Sequence, residues 1–249
     1  MDDNYLFLTR QNDFIKRFKI IADIKLAENK FVLLSYDYIL KSICITKIIF
    51  NQITNEDLTV YEILKNNPHP NIEKILDIIK YPDFYIIVIE YIDGDNLTKY
   101  IKCNNKIMNN IYYDLLKGLK HLNKLNIIHG DMKLENIMYA NNTAIIIDFE
   151  YSKKTDYYYY DGNSFGSLNY ISPEGYELNV YSQKSDIWGL GVIFYKLITG
   201  RFPYNLDNIS FSARKCFKSI DLNYLDKFKY DIINNVKKML VFIDRHRYI

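Results

Sequence analysis

The sequence predicts an α+β fold, with strands early in the chain and helices in the remainder. Three observations carry this. Phe18 to Ile24, Phe31 to Tyr38 and Ile43 to Phe50 are short runs rich in β-branched and aromatic residues, the composition of strands. Ile111, Leu115, Leu119 and Leu122 recur at helical spacing, with Lys117, Lys120 and Lys124 opposite them. Ile187 to Ile198 is apolar nearly all round, which reads as a buried helix.

The elements follow in order. Residues 1–17 read as an N-terminal extension, and Phe14 to Phe18 could cap the first sheet. After the three strands, Asn55 to Asn66 reads as a helix. Thr54 or Asn55 is its cap, and Glu56 and Asp57 lie in the first turn, where the helix dipole favours carboxylates. Tyr85 to Ile89 is a buried strand. The amphipathic helix around Ile111 to Leu122 delivers the chain to His129. Gly200-Arg201-Phe202-Pro203-Tyr204 ends the buried helix, and Phe211 to Phe217 and Tyr230 to Phe242 supply further helices. There is no internal repeat and no linker.

Composition excludes several classes. The chain has 249 residues, 49% hydrophobic and 25% charged, enough for one domain with a sizeable core. A net charge of +2 gives no electrostatic case for nucleic acid or a membrane as main partner. No run is long and apolar enough to span a bilayer, and the acidic Met1-Asp2-Asp3-Asn4 start leads into no secretory signal. Cys44, Cys103 and Cys216 are odd in number and far apart, neither a metal site nor a disulfide framework. That suits a reducing compartment, so a cytoplasmic protein is expected, with the nucleus also open; a monomer is expected as well.

The chemistry concentrates in His129-Gly130-Asp131-Met132-Lys133-Leu134-Glu135-Asn136-Ile137-Met138. Downstream, Ile145-Ile146-Ile147-Asp148-Phe149-Glu150 reads as a buried strand ending in a second Asp. A carboxylate to orient a hydroxyl, an amine for a phosphoryl group, and an Asn and an Asp for magnesium form a phosphoryl-transfer set.

These two stretches resemble the catalytic loop (H-R-D-x-K-x-x-N) and D-F-G motif of eukaryotic-type protein kinases, with Gly130 in place of the Arg and Glu150 in place of the last Gly. They also resemble small-molecule kinases of the choline and aminoglycoside kind. Two further motifs separate the families. Gly166-Ser167-Leu168-Asn169-Tyr170-Ile171-Ser172-Pro173-Glu174 looks like the end of a protein kinase activation segment. Ser185-Asp186-Ile187-Trp188-Gly189-Leu190-Gly191 looks like the start of the buried helix that anchors the catalytic loop. Four motifs in the right order are far more specific than any one. The resemblance covers roughly residues 18 to 247.

It implies a two-lobed protein-kinase-like fold. The N-lobe, about 18–89, would be a five-stranded antiparallel sheet with one main helix. A hinge at about 90–94 and a mostly helical C-lobe at about 95–249 would follow. The chain stops at Ile249, so the family's last helix is not expected.

The resemblance also assigns roles. Asp131 orients or deprotonates the substrate hydroxyl, Lys133 neutralises the γ-phosphate, Asn136 and Asp148 hold Mg2+, and Lys47 holds the α and β phosphates of ATP. Ile24, Lys25, Ala27, Lys30, Val32, Ile45, Ile89, Glu90, Ile92, Asn96 and Met138 fall where the family contacts the nucleotide. Among them Ile89 is the gatekeeper, Glu90 and Ile92 offer hinge backbone groups to the adenine, and Asn96 sits at a ribose position. Asp186 anchors the backbone of the catalytic loop, and Arg247 pairs with Glu174. The glutamate expected to pair with Lys47 is Glu56, one turn before Val60, which holds the ungapped position; Glu62 is the alternative if the register shifts. The loop expected to be glycine-rich, Ile24 to Val32, contains no glycine.

Ser167, where serine/threonine kinases keep Thr, and Lys133 point to Ser or Thr in protein substrates. Packing in a loop accounts for Tyr157-Tyr158-Tyr159-Tyr160, with autophosphorylation or peptide docking the other reading. The expected function is a serine/threonine protein kinase using ATP and Mg2+. The alternatives are a pseudokinase acting as a binding module and a small-molecule kinase.

Overall fold

The computed structural model describes residues 12–27, 29–50, 55–160, 167–204, 217 and 220–247. The expected helix over Phe211 to Phe217 lies, but for Phe217, outside the described residues. The chain divides into two compact units, residues 1–69 with 73–93 and residues 70–72 with 94–249.

The first unit is built on an antiparallel sheet. Its strands are β1 (Phe18–Ala27), β2 (Lys30–Asp37), β3 (Ser42–Phe50), β4 (Ile75–Lys80) and β5 (Phe84–Glu90), in the order β1-β2-β3-β5-β4. Alternation along the strands gives the sheet two faces. One carries Phe31, Leu33, Cys44, Ile48, Phe50, Phe84, Ile86 and Val88, all buried in one cluster. Helix α1 (Asn12–Arg17) covers this face: Phe14 is 1% exposed and its ring lies 5.3 Å from that of Phe18. The packed core therefore begins before Phe18. Burying a side chain of this size contributes about 1.5–3 kcal/mol. The two hydroxyls in the core, Ser35 and Thr46, bond each other at 2.8 Å. Arg17 closes the edge of the cap, donating to Asp37 at 3.0 Å and Asp77 at 2.8 Å.

The opposite face follows from the register. Directly paired residues share a face, so Lys25, Val32, Lys47 and Ile87 stand in one row. Leu34, Ile45 and Ile89 stand in the next. Helix α2 (Asn55–Asn66) buries Leu58, Val60, Tyr61 and Leu64.

The second unit is mostly helical. Helix α3 (Asn105–Lys124) is capped by Asn104, whose side chain accepts from Ile107 N. Its buried residues include Ile111, Leu115, Leu119 and Leu122, the periodic set. A small sheet, β6 (Asp95–Asn96), β8 (Ile137–Ala140) and β9 (Thr143–Ile146), runs in the order β6-β8-β9. The strand β7 (Ile127–Ile128) pairs with β10 (Lys153–Lys154), and β11 (Tyr158–Tyr160) pairs with β12 (Val180–Ser182). Helix α4 (Pro173–Leu178) precedes β12.

Helix α5 (Gln183–Thr199) is buried from Ser185 through Tyr195, as its all-round apolar sequence predicts. A capping box between Ser182 and Ser185 starts it, and Gly200 at φ 81 ends it. Helix α6 (Ile233–Met239) packs its Ile233, Val236 and Met239 inward. No described helix is long and apolar enough to cross a membrane.

Candidate active site

The catalytic loop hangs from one carboxylate. Asp186, in the first turn of α5, accepts from the backbone N–H of His129 at 2.8 Å and of Gly130 at 3.0 Å. Burial pushes its carboxyl pKa up, and the two N–H donors pull it back. Gly189, one turn further along α5, lets the helix approach the loop: a Cβ there would lie 2.9 Å from Met132 Cβ and 3.1 Å from Met132 O.

His129 is fully buried and fixed at both ring nitrogens. Asp131 N donates to Nδ1 at 3.2 Å, so the ring proton belongs on Nε2, which donates to Ile147 O at 3.1 Å. Phe149 packs edge-on against the ring at 5.0 Å. Ser152 donates its hydroxyl to His129 O at 2.9 Å. The segment after Asp148 is thereby tied to the loop that carries Asp131.

The Asp131 side chain is only 2% exposed. Its Oδ1 accepts from Ser167 N at 3.0 Å, and its Oδ2 accepts from Asn136 Nδ2 at 3.0 Å and Lys133 Nζ at 2.5 Å. Lys133 also donates to Ser167 Oγ at 3.1 Å. Asp131, Lys133, Asn136 and Ser167 thus form one cluster, in the contacts the motifs imply. Asn136 donates in addition to Asp131 O at 2.9 Å, which commits its NH2 and leaves Oδ1 as an acceptor. Asp148 is half-buried in the left-handed region at φ 66.

A carboxamide oxygen and a carboxylate suit a small hard cation that keeps waters and takes its remaining oxygens from phosphates. The described residues contain no cluster of three or more His, Cys, Asp or Glu that would hold a metal alone. The donors that are present fit magnesium brought in with a nucleotide.

The anchors of the second unit are also in place. Arg247, fully buried, donates to Glu174 Oε1 at 2.6 Å and Oε2 at 2.7 Å, and Ser185 Oγ adds a bond to Glu174 Oε1 at 3.0 Å. The Arg247 guanidinium stands 4.8 Å from the Trp188 ring. Trp188 Nε1 donates to the Tyr204 hydroxyl at 3.1 Å, which donates to Asn169 O at 3.2 Å. Burial pushes the Tyr204 phenol well up, so it keeps the proton it donates.

In the first unit, Lys47 is 4% exposed and shares its sheet face with Val32, Ile45 and Ile89. Its ammonium donates to the Tyr61 hydroxyl at 3.2 Å. Glu62, the alternative partner, instead accepts from Lys80 at 2.8 Å at the surface, because the helix turns it away from the sheet. The side chain of Glu56 lies outside the described residues.

Lys25 and Ala27 are exposed, Lys30 is half-buried, and Ala27 pairs with Lys30 across the hairpin end. Ile24 falls at an irregularity between Asp23 and Lys25, so it has no partner in β2, and is 56% exposed. Ile89 is buried and Ile92 half-buried. The N–H of Glu90 goes to Lys74 O at 3.0 Å.

In the second unit, Asn96 and the half-buried Met138 are direct partners across β6 and β8. The Asn96 Oδ1 caps the next turn, accepting from Thr98 N at 3.2 Å. The contact between Lys47 and Tyr61 was not among the sequence expectations; its signal is the buried-face spacing of Leu58, Tyr61 and Leu64 on α2.

The architecture and this cluster are those of the protein kinase fold. Residues 38–247 match the protein kinase domain family, and the chain belongs to it. The match begins at Tyr38, after the glycine-free β1–β2 hairpin. Curated relatives are serine/threonine protein kinases.

The chain is 31% identical over 165 residues to a calcium and calcium/calmodulin-dependent serine/threonine-protein kinase of Pisum sativum, covering 63% of this chain and 31% of that one. It is 32% identical over 197 residues to serine/threonine-protein kinase CLA4 of Candida albicans, covering 74% and 20%. It is 29% identical over 189 residues to CBL-interacting serine/threonine-protein kinase 17 of Arabidopsis thaliana, covering 72% and 43%. The chain thus spans less than half the length of each of these relatives.

Proposed function

We propose that the chain transfers the γ-phosphoryl group of ATP to Ser or Thr hydroxyls of proteins. The observation that carries this is the bonding of Asp131. A carboxylate offers about four lone-pair sites. Ser167 N, Lys133 Nζ and Asn136 Nδ2 take three, which leaves one directed acceptor for a substrate hydroxyl. Asp131 would orient that hydroxyl and take its proton as the phosphorus–oxygen bond forms.

The Lys133 ammonium has one N–H beyond those given to Asp131 and Ser167, and it would go to a γ-phosphate oxygen. Lys47 would hold the α and β phosphates. Asn136 and Asp148 would hold magnesium, which when bound neutralises phosphate oxygens. The protein's part is positioning and electrostatics rather than covalent chemistry. Ser167 and Lys133 favour Ser and Thr acceptors.

The glycine-free hairpin favours the second reading, a pseudokinase. One assay separates the two: magnesium-dependent transfer of labelled phosphate to generic protein substrates, with Asp131→Asn as control. Transfer by the wild type that the variant loses while still binding nucleotide supports the kinase. A wild type that transfers to no protein, itself included, leaves the pseudokinase.

A further inference from the structure

The edge strand β4 slips its register once. Ile75 pairs with Ile89 but Asp77 pairs with Val88, so Leu76 is an extra residue. A bulge of this kind re-aims the side chains that follow it. An unbroken register would set Asp77 opposite Ile87, on the sheet face of Lys47. The bulge sets it opposite Val88 instead, on the face that α1 covers.

There the two carboxylate oxygens are shared between two helices. Oδ2 accepts from Arg17 Nη1 of α1 at 2.8 Å, and Oδ1 accepts from Lys65 Nζ, in the last turn of α2, at 2.7 Å. Arg17 gives its Nε and Nη2 to Asp37 Oδ2 at 3.1 and 3.0 Å, and Asp37 is fully buried. An isolated exposed ion pair is worth little, but these four charges form one chain, Asp37–Arg17–Asp77–Lys65, anchored in the core at one end. Burial pushes the Asp77 carboxyl up, and the two cations outweigh it, holding the group below the usual carboxylate range. Helix α2 packs along β4 and carries Tyr61, whose hydroxyl accepts from Lys47 at 3.2 Å. What fixes α2 against β4 therefore fixes one of the groups around the Lys47 ammonium.

We propose that Asp77 is a positioning residue that joins α1 to α2, so that a helix lying before the residues that match the family helps to hold α2, and with it Tyr61, against Lys47. The inference rests on the kinase reading only for its consequence at the nucleotide. Without Arg17 the Asp77 carboxylate is free to turn, and Lys65 is then tied to a group that moves. The cost falls on the last turn of α2 and on nucleotide binding.

The test is hydrogen exchange of the amides of residues 61–66, together with titration of a fluorescent ATP analogue, in Arg17→Gln, Lys65→Met and the double variant. Arg17 makes no bond to a described residue of α2, so a response of α2 to its loss reports the chain through Asp77. Arg17→Gln should raise the exchange about three- to tenfold and weaken the nucleotide Kd about two- to fivefold, with KM for the protein substrate unchanged. In the Lys65→Met background Arg17→Gln should change neither any further, because both cut the same chain. Lys80→Met cuts the separate bond from β4 to Glu62 of α2, and its effect should add to that of Arg17→Gln. If Arg17→Gln does not fold, Arg17→Lys takes its place: it keeps a charge for the buried Asp37, loses the fork that spans both carboxylates, and should give the same pattern.

Exchange at 61–66 that the loss of Arg17 leaves unchanged, or effects of Arg17→Gln and Lys65→Met that add, overturn the proposal and leave the kinase reading intact. So does a raised exchange with an unchanged Kd, since the helices would then be joined without positioning anything at Lys47. A wild type that binds nucleotide without transferring phosphate removes the kinase reading, and exchange and binding still decide the proposal. A wild type that binds no nucleotide removes both.

Discussion

The hydroxyl oxygen of Tyr159 lies 3.0 Å from the point that a Cβ on Gly130 would occupy. On its other side Gly130 is crowded by the carbonyl of Tyr151, 2.7 Å from the same point, and its φ is +82. Tyr159 is held there by β11, which pairs it with Tyr181 of β12, and the two rings stack at 5.3 Å and 18°. The family motif has an Arg at this place, which the resemblance implies would pair with a phosphorylated activation-segment residue. Here the space beside the backbone is filled by a phenol from the activation segment itself.

Activity is therefore expected to be independent of activation-segment phosphorylation. A packed neutral ring requires no added charge to order the segment. Purified enzyme treated with a phosphatase should keep its kcat/KM within about threefold. A tenfold fall, about 1.4 kcal/mol in transition-state terms, would contradict the idea.

Gly130→Ala should lower stability by about 1–3 kcal/mol, because a Cβ is strained at this φ and meets the Tyr151 carbonyl. Chemical denaturation of the purified variant checks this. A stability unchanged within experimental error would mean that the Tyr151 and Tyr159 segment moves aside freely.

The Arg247–Glu174 pair predicts a second loss. Arg247 gives its Nε to Val241 O at 2.7 Å as well as both fork nitrogens to Glu174, and it is completely buried. Arg247→Ala leaves Glu174 without its counter-charge in a largely buried site, a change that costs about 3–5 kcal/mol. Arg247→Lys should recover little, because an ammonium cannot reproduce the bidentate fork. Thermal melts of both variants test it; a lysine variant as stable as the wild type would contradict the role of the fork.

Much of this was legible in the chain. The strands are short runs rich in β-branched and aromatic residues, and α5 is apolar all round, so their type follows from local composition and pattern. Asp131, Lys133 and Asn136 of the candidate site were legible because they stand close together in sequence, and Ser167 because it lies in a motif of its own. What escaped depends on contacts between distant segments. Phe14 joins the sheet core only because α1 folds back over it, with Arg17 reaching Asp77 on a strand far along the chain. The loss of an Arg at Gly130 is visible in the sequence, but its replacement by Tyr159 depends on the pairing of β11 with β12. The contact of Tyr61 with Lys47 depends on which way the α2 side chains point, and that is set by packing against the sheet.

The nucleotide hairpin carries the last prediction. Lys25 pairs with Val32 and Ala27 with Lys30, and Val32 pairs with Lys47, so both hairpin lysines share the sheet face of Lys47. Each Cβ keeps the backbone from closing over phosphates, so N–H contacts that glycines would permit are lost. The two ammonium groups would replace them with charges on flexible stems, which are entropically costly to fix. ATP binding should be weak, with KM towards the upper end of the ~1 μM–1 mM range of enzymes. It should weaken further with salt, because exposed charges are screened within about 10 Å at 0.1 M. Titrating ATP at two ionic strengths against the wild type and the Lys25→Gly/Ala27→Gly/Lys30→Gly variant tests this. The variant should bind more tightly and lose most of the salt dependence. Low-micromolar binding by the wild type with no response to salt would show that the hairpin lysines do not hold the phosphates.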